Sequence, residues 1–418
     1  MKIKTPQLTV LFLSMFVFTL GFSMVIPIIP YFAKNFGGTV IDVGFLMAAF
    51  SAMELLFAPV WGKISDKIGR KPVLIIGLLG FGVSFLIGGL SSQLWMLYLS
   101  QIMAGILVAG VYPAATAYIA DVTLPEDRGS LMGMLGAASG LGMIIGPGLA
   151  SIFAIWGINI PFFAASLIAF LTLTIGLLWL PESRIINIQN SNLNNISFKE
   201  AFKSSILSYI AIFFFLMAFV AFVLGSIEGT FGYFLIDKFG LGQIPAYMPL
   251  LGTGIMLTGP NVIGIVFTFV GIMSVITQAL LVGRTIKILG EEKTIILGLL
   301  LLAIGSTLFV FSIGLISMVF SSIIIAVAIG LIMPSISTAI SNRTSEENQG
   351  VMMGLLGSFN STGRVLGPLI GVFAYSISIL LPYIGSSVMA LLSALYLLFH
   401  IRKEKYPTEL RNKEINIS

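Results

Sequence analysis

The chain has 418 residues, 57% of them hydrophobic and 9% charged, with a mean hydropathy of +1.05; a soluble domain carries about a quarter charged residues, so the composition excludes a water-soluble fold. With no cysteine and His400 as its one histidine, it has no thiol nucleophile or disulfide and no ligand cluster for metal or triad chemistry, and neither metal nor cofactor is expected. The formal charge of +5 comes from basic residues spread over short loops, which argues against nucleic acid and for a membrane topology signal.

Crossing about 30 Å of hydrocarbon takes roughly 20 helical residues. Runs of that kind fall near 8–32, 43–62, 72–91, 94–120, 130–154 and 161–180, then near 206–235, 261–282, 294–313, 316–340, 351–376 and 380–401. They are numbered here spans 1 to 12. The expected fold is an all-α membrane protein of two six-helix halves, 1–180 and 206–401, joined by a polar linker 181–205 and followed by a tail 402–418. With the N-terminus inside, the inner loops and tails hold nineteen of the 22 Lys and Arg residues, the outer loops hold Lys34 and Lys238, and Arg364 lies within a helix. That bias places both termini in the cytoplasm. The start of the chain has the outline of a signal peptide but no small-residue cleavage site, so it is read as a retained first helix.

In chain order, span 1 carries Leu20-Gly21-x5-Pro27-x2-Pro30, two prolines expected to kink it. Span 2 buries Glu54, and the turn after it, Gly62-Lys63-Ile64-Ser65-Asp66-Lys67-Ile68-Gly69-Arg70-Lys71, packs five charges between two apolar runs. Gln101 and Tyr112 lie on span 4 as candidate pathway residues, Asp121 ends it, and Arg128 follows. Span 5 contains Gly133-x8-Gly142-x3-Gly146-Pro147; Gly142 and Gly146 stand one turn apart and offer a smooth face for close helix packing. Span 7 buries Glu228 and span 11 buries Arg364. A charge at the bilayer centre costs roughly 3 kcal/mol and persists there usually for function. Glu228 either exchanges protons or a cationic substrate between the two sides, or is a structural hydrogen-bonded acid. Glu54 and Arg364 fall at similar depths.

The halves repeat. Gly62 and Gly69 recur as Gly283 and Gly290, Pro113 as Pro334, and Gly133, Gly142, Gly146 and Pro147 as Gly354, Gly363, Gly367 and Pro368, all 221 apart. The same helix order in each half implies a parallel repeat about an axis along the membrane normal, with the substrate path between the halves. At the start the register drops to about 204, matching Leu20-Gly21 to Leu224-Gly225. Some seventeen extra residues, about Ile244 to Pro260, are then expected as an outer loop between spans 7 and 8. In the second-half turn Lys287 stands where the first has Asp66, and Glu291 where it has Arg70.

The G-x-x-x-D-x-x-G-R-K turn resembles the loop between helices 2 and 3 of the major facilitator superfamily. The span 1 prolines, the span 5 glycines and the Gly225-Ser226-Ile227-Glu228 stretch resemble the twelve-helix drug/proton antiporters within it, including quinolone and multidrug exporters. The resemblance implies alternating access, with export of hydrophobic or cationic drugs in exchange for protons by a monomer in the plasma membrane. It further implies that Gly62, Asp66, Gly69, Arg70, Lys71, Asp121 and Arg128 form a cytoplasmic gate in which Asp66 meets the start of span 11. Helices 2 and 11 line the contact between halves in that superfamily, which implies that Glu54 and Arg364 either pair across it in one state and separate in the other, or form a static buried ion pair. Two departures are visible. Gln101 stands where drug antiporters carry an arginine, and Ala150-Ser151 replaces the glycine pair that ends the span 5 pattern. A metabolite or sugar transporter and a lipid flippase are the rival readings; no residue cluster supports an intramembrane enzyme.

Overall fold

The computed structural model describes residues 5–123, 125–183, 209–250, 253–344 and 349–415. Among these, eleven helices are long and apolar enough to cross a membrane. The twelfth span, Gln349–Ile377, is 29 residues long and is set apart by the polar run Ser358, Asn360, Thr362 and Arg364. The single-helix spans are Val40–Ile68 (span 2), Arg70–Gly89 (3), Pro125–Phe153 (5), Ile160–Trp179 (6), Ala211–Phe239 (7), Glu291–Val310 (9), Leu315–Ser341 (10) and Leu381–Ile415 (12). Span 12 runs on through most of the segment expected as a separate tail; the expected linker lies outside the described residues from 184 onward.

Three spans are interrupted, each for a local reason. Span 1 stops at Val25 and restarts as Ile29–Asn35, so its prolines break the helix rather than kink it; Pro30 sits in the first turn of the new piece, where its missing N–H costs nothing. Span 4 divides between Leu94–Val108 and Val111–Val122 because Pro113 clashes with the carbonyl four residues back, at Ala109. Span 8 passes from Gly259–Ile276 through a π turn, Thr277–Leu281, into Val282–Leu289. Spans 2 and 8 start with matching capping boxes, Thr39 with Asp42 and Thr258 with Asn261. Both end at a glycine with positive φ, Gly69 at 102° and Gly290 at 80°, a conformation that a side chain would strain.

The repeat read from sequence is a repeat of packing. Spans 1–5, 2–4, 3–4 and 3–6 are neighbours in the first half, and 7–11, 8–10, 9–10 and 9–12 are their counterparts in the second. A Cβ on Gly142 would lie 2.5 Å from Phe16 O and 2.7 Å from Leu20 N, and one on Gly363 would lie 2.1 Å from Ala218 O and 2.9 Å from Phe222 N. Phe16 thus answers to Ala218 and Leu20 to Phe222, which makes the span 1 to span 7 register 202 rather than about 204 and lengthens the insertion by two residues. Lipid tails are as apolar as the side chains, so close packing of this kind, not a hydrophobic effect, drives helix association in a bilayer.

The inserted segment is an antiparallel hairpin, β1 (Ala246–Leu250) and β2 (Thr253–Leu257), with Ala246 opposite Leu257. Its prolines and glycines argue against strand, but each strand of a two-stranded ribbon is an edge, where Pro249 is tolerated. Met248 is buried, and Pro249 lies against Gly314 at the start of span 10.

The segment Gly62–Lys71, helical except at Gly69, marks one face of the bundle, called the basic face below. The halves touch on the opposite, far face. There Gly44 lies against Val372 and Pro368, Gly264 against Pro147 and Ser151, and Gly271 against Ile144. Tyr233 donates to Gly38 O (2.9 Å), Gln243 donates to Asn35 Oδ1 (2.6 Å) and to Tyr31 O (3.1 Å), and Asn261 donates to Ser151 O (3.0 Å). Towards the basic face the halves diverge: added Cβ atoms on Gly133, Gly136 and Gly140 of span 5, or on Gly354 and Gly357 of span 11, would meet nothing within 4 Å.

Candidate functional site

A cavity of about 820 Å³ fills the space left by that divergence. Its walls are apolar, with Leu141, Ile144, Leu224, Phe231 and Phe267 among them, and Ser274, Gln278 and Ser322 add a few uncharged polar groups. At its apex Arg364 Nη2 bonds Glu228 Oε2 at 3.2 Å. The same pair lines a second, small pocket of about 20 Å³ with Gln101, Ser51, Phe22, Phe50 and Phe85, a space the size of one water molecule. The ion pair therefore stands as a partition between the wide cavity and a narrow one beneath the closed far face. Arg364 also lies 5.8 Å from the Phe22 ring, so its cation faces both a carboxylate and an aromatic surface.

Arg364 pairs with Glu228, on its own half, rather than with Glu54 across the seam. Glu54 is nonetheless within electrostatic reach of Arg364. The reason for the choice of partner is local: spans 7 and 11 are locked together by Gly363 and Gly367 against Ala218 and Phe222, and by Gly225 and Gly229 against Pro368. Glu54 stands at the midpoint of a 29-residue helix, and Arg364 and Glu228 lie one and three residues past the midpoints of two others.

The scaffold is two-fold, but the charges are not. In the 202 and 221 registers Glu228 corresponds to Ile26, Arg364 to Met143, Glu54 to Val275 and Gln101 to Ser322, and all four counterparts line the wide cavity. Each ionisable group thus occurs once, opposite an apolar residue.

The family's sequence model, Major Facilitator Superfamily, matches residues 11–262 and 246–416, nearly the whole chain. The chain belongs to the Major Facilitator Superfamily. It is 32% identical over 378 residues to multidrug resistance protein 2 of Bacillus subtilis (strain 168), covering 90% of each chain. It is 31% identical over 367 residues to the class E tetracycline resistance protein of Escherichia coli, covering 86% of each. The solved nucleoside transporter NupG has the same fold, with a TM-score of 0.75 at 13% identity, covering 96% of this chain and 99% of that one. The superfamily fold makes this a multi-pass membrane protein.

The turn that carries the superfamily resemblance is built around Arg70. Its guanidinium bonds Asp66 Oδ1 (2.7 Å), Asp121 Oδ2 (3.1 Å) and Ser65 Oγ (3.1 Å). Asp66 is bonded by Arg70 and otherwise exposed; among the described residues it has no contact with the start of span 11, the meeting that the resemblance implies. Gly62 likewise makes no close approach, and the side chain of Arg128 lies outside the described residues. Lys71 donates to Leu177 O (3.1 Å).

Glu182 is the residue that the sequence reading missed here. Span 3 begins with Arg-Lys, the wrong charge for the positive end of a helix dipole, and Glu182 corrects it by accepting from the backbone N–H of Arg70 (2.8 Å) and Lys71 (3.1 Å). The mismatch was the available signal. Span 9 begins with Glu291-Glu292 and carries its own acids. The inverted charges nevertheless make the same contact: Arg70 bonds Asp121 in the first half, and Asn342 donates to Glu291 (2.6 Å) at the equivalent positions in the second. Glu182→Ala is expected to destabilise the start of span 3 by about 1 kcal/mol, as loss of a cap does, lowering the melting temperature while leaving substrate affinity unchanged.

The remaining assignments divide. Gln101 is buried and lines the small pocket beside the ion pair. Tyr112 is 58% exposed and lines neither central cavity, which removes it from the pathway in this conformation. Gly142, Gly146, Gly363 and Gly367 pack backbone to backbone, and Pro147 and Pro368 lie beside them against Gly264 and Gly225. Gly133 and Gly354 pack against nothing, and Gly133 lines the open part of the cavity instead.

Proposed function

We propose that the chain is a drug exporter that exchanges hydrophobic or cationic compounds for protons by alternating access, with the basic face and both termini in the cytoplasm. The observation that carries this reading is the Glu228–Arg364 pair at the head of an apolar cavity between the halves. Glu54, Glu228 and Arg364 together hold one negative charge in excess. One proton, or one positive charge on a substrate, neutralises the group, and the two therefore compete for it. In this orientation the cavity opens to the cytoplasm, where an amphipathic compound finds apolar walls and a carboxylate. Protonation of Glu228 from the far side weakens its hold on Arg364 and releases the substrate outward. Drug-resistance relatives at about 30% identity support the substrate class. A sugar or polar metabolite is disfavoured because the lining offers few hydrogen-bonding groups.

The test is dye transport in proteoliposomes with and without an imposed pH gradient. Gradient-driven movement of a lipophilic cation, inhibited by other such cations, is expected; transport indifferent to the gradient removes proton exchange. The far-face contacts add a second prediction. Gln243→Ala, which deletes the bonds to Asn35 and Tyr31, is expected to raise outward-open occupancy severalfold, read as faster labelling of a cysteine placed at Ser51, a buried residue of the small pocket beneath the far face. An unchanged labelling rate would remove this contact from the latch.

A further inference from the structure

The two halves differ at one helix pair. Spans 1 and 6 pack along their length, with Gly21 against Ala165 and Gly176 against Val10. Their counterparts, spans 7 and 12, meet only near their ends. Tyr383 takes a hydrogen bond from Thr230 and its ring packs at a tilt against Phe234 at the far end, and His400 stacks on Tyr209 at 5.1 Å at the basic end. Between these contacts lies a groove of about 730 Å³, open to the bilayer and sharing no lining residue with the central cavity. Phe215, Phe219, Met389 and Leu392 line its length, and Tyr396 and His400 close its basic end.

The occupant is indicated by what stands at that end. Tyr209, Tyr396 and His400 form a stacked aromatic set at the level where amphipathic rings meet lipid headgroups. The neighbouring Arg343 is paired with Glu292 at 2.6 Å, so that pair is neutral as a unit. The helix then continues through Arg402-Lys403-Glu404-Lys405, a net charge of two within five residues of His400. An apolar slot with an aromatic end that leads into a basic stretch of helix beside a membrane surface is the pattern that holds an anionic headgroup.

We propose that the groove between spans 7 and 12 binds one anionic phospholipid from the leaflet on the basic face, with an acyl chain along Phe219 and Leu392 and its headgroup at the His400 end, where the basic stretch of the helix begins. The site lies outside the substrate path and does not depend on what the protein exports. Its effect is structural: the lipid fills a gap in the second half that side chains fill in the first.

The natural absence of cysteine makes the test direct. A bimane label on Phe219→Cys is compared with one on Leu171→Cys, a lipid-facing position on span 6, in full-length protein reconstituted with brominated phosphatidylglycerol or brominated phosphatidylcholine. Quenching at position 219 is expected to favour phosphatidylglycerol by about fivefold or more, with no preference at position 171. The preference is expected to vanish in His400→Ala/Arg402→Gln/Lys403→Gln. Equal quenching by both lipids at position 219, no quenching there because a protein segment occupies the groove, or a preference that survives the triple variant would each overturn the proposal. Loss of dye transport leaves this result untouched, so the two readings fail separately.

Discussion

Glu228→Gln is expected to abolish gradient-driven export while leaving the protein inserted in the membrane. The substitution removes the charge that a proton or cationic substrate neutralises, so exchange loses its coupling. It also leaves Arg364 without its partner, and removing one member of a buried pair costs roughly 3–5 kcal/mol. A drop in melting temperature should accompany the loss of transport. The two effects are separable. Glu228→Gln/Arg364→Met, which removes both charges, is expected to regain most of the stability and none of the coupling. If the double variant transports against a gradient as the native protein does, the pair is structural. Arg364→Met alone should weaken stability less, because Glu228 can take up a proton.

Gly146→Leu should be the most damaging single change in the packing. An added Cβ would lie 1.9 Å from Ser23 Oγ and 2.6 Å from Leu20 O, and a backbone carbonyl cannot rotate away as the end of a side chain can. Spans 1 and 5 would have to separate. Overpacking costs typically about 1–3 kcal/mol and sometimes more, and here it also removes the Ser23 bond to Gly142 O (3.0 Å). Little folded protein is expected, measured as the monodisperse fraction after detergent extraction. Gly363→Leu should behave alike, since its Cβ would lie 2.1 Å from Ala218 O. Gly133→Ala is the control. It belongs to the same sequence pattern but faces open space, and near-native yield is expected.

That contrast shows what the sequence could and could not convey. The spacing of 221 carried the repeat, because the same helix geometry demands glycine and proline at the same turns in both halves. It could not separate Gly142, which touches a neighbouring backbone, from Gly133, which touches nothing, since both look alike without a neighbour to measure against. Buried charge pointed to Glu54, Glu228 and Arg364, because hydrocarbon tolerates such residues only at a price in free energy. Their pairing was illegible. It depends on which helices are locked together in the conformation adopted, and spans 7 and 11 are held by five glycine contacts. The hairpin at 246–257 was hidden for another reason: Pro and Gly usually forbid a strand, and an isolated ribbon relaxes that rule. Glu182 was readable only once span 3 was seen to begin with two cations.

The divergence of the halves on one face and their contact on the other define the account, and a pair of distances tests it. Spin labels are placed on Met134→Cys and Leu280→Cys at the open ends of spans 5 and 8, and separately on Ile155→Cys and Ile244→Cys at the closed face, in native protein and in Glu228→Gln as a mimic of the protonated state. Double electron–electron resonance should show the first distance shortening as the second lengthens when substrate or pH is changed, with Glu228→Gln shifting the balance without either. Two distances that stay fixed under every condition, or that change together in the same direction, would contradict rocking of one half against the other.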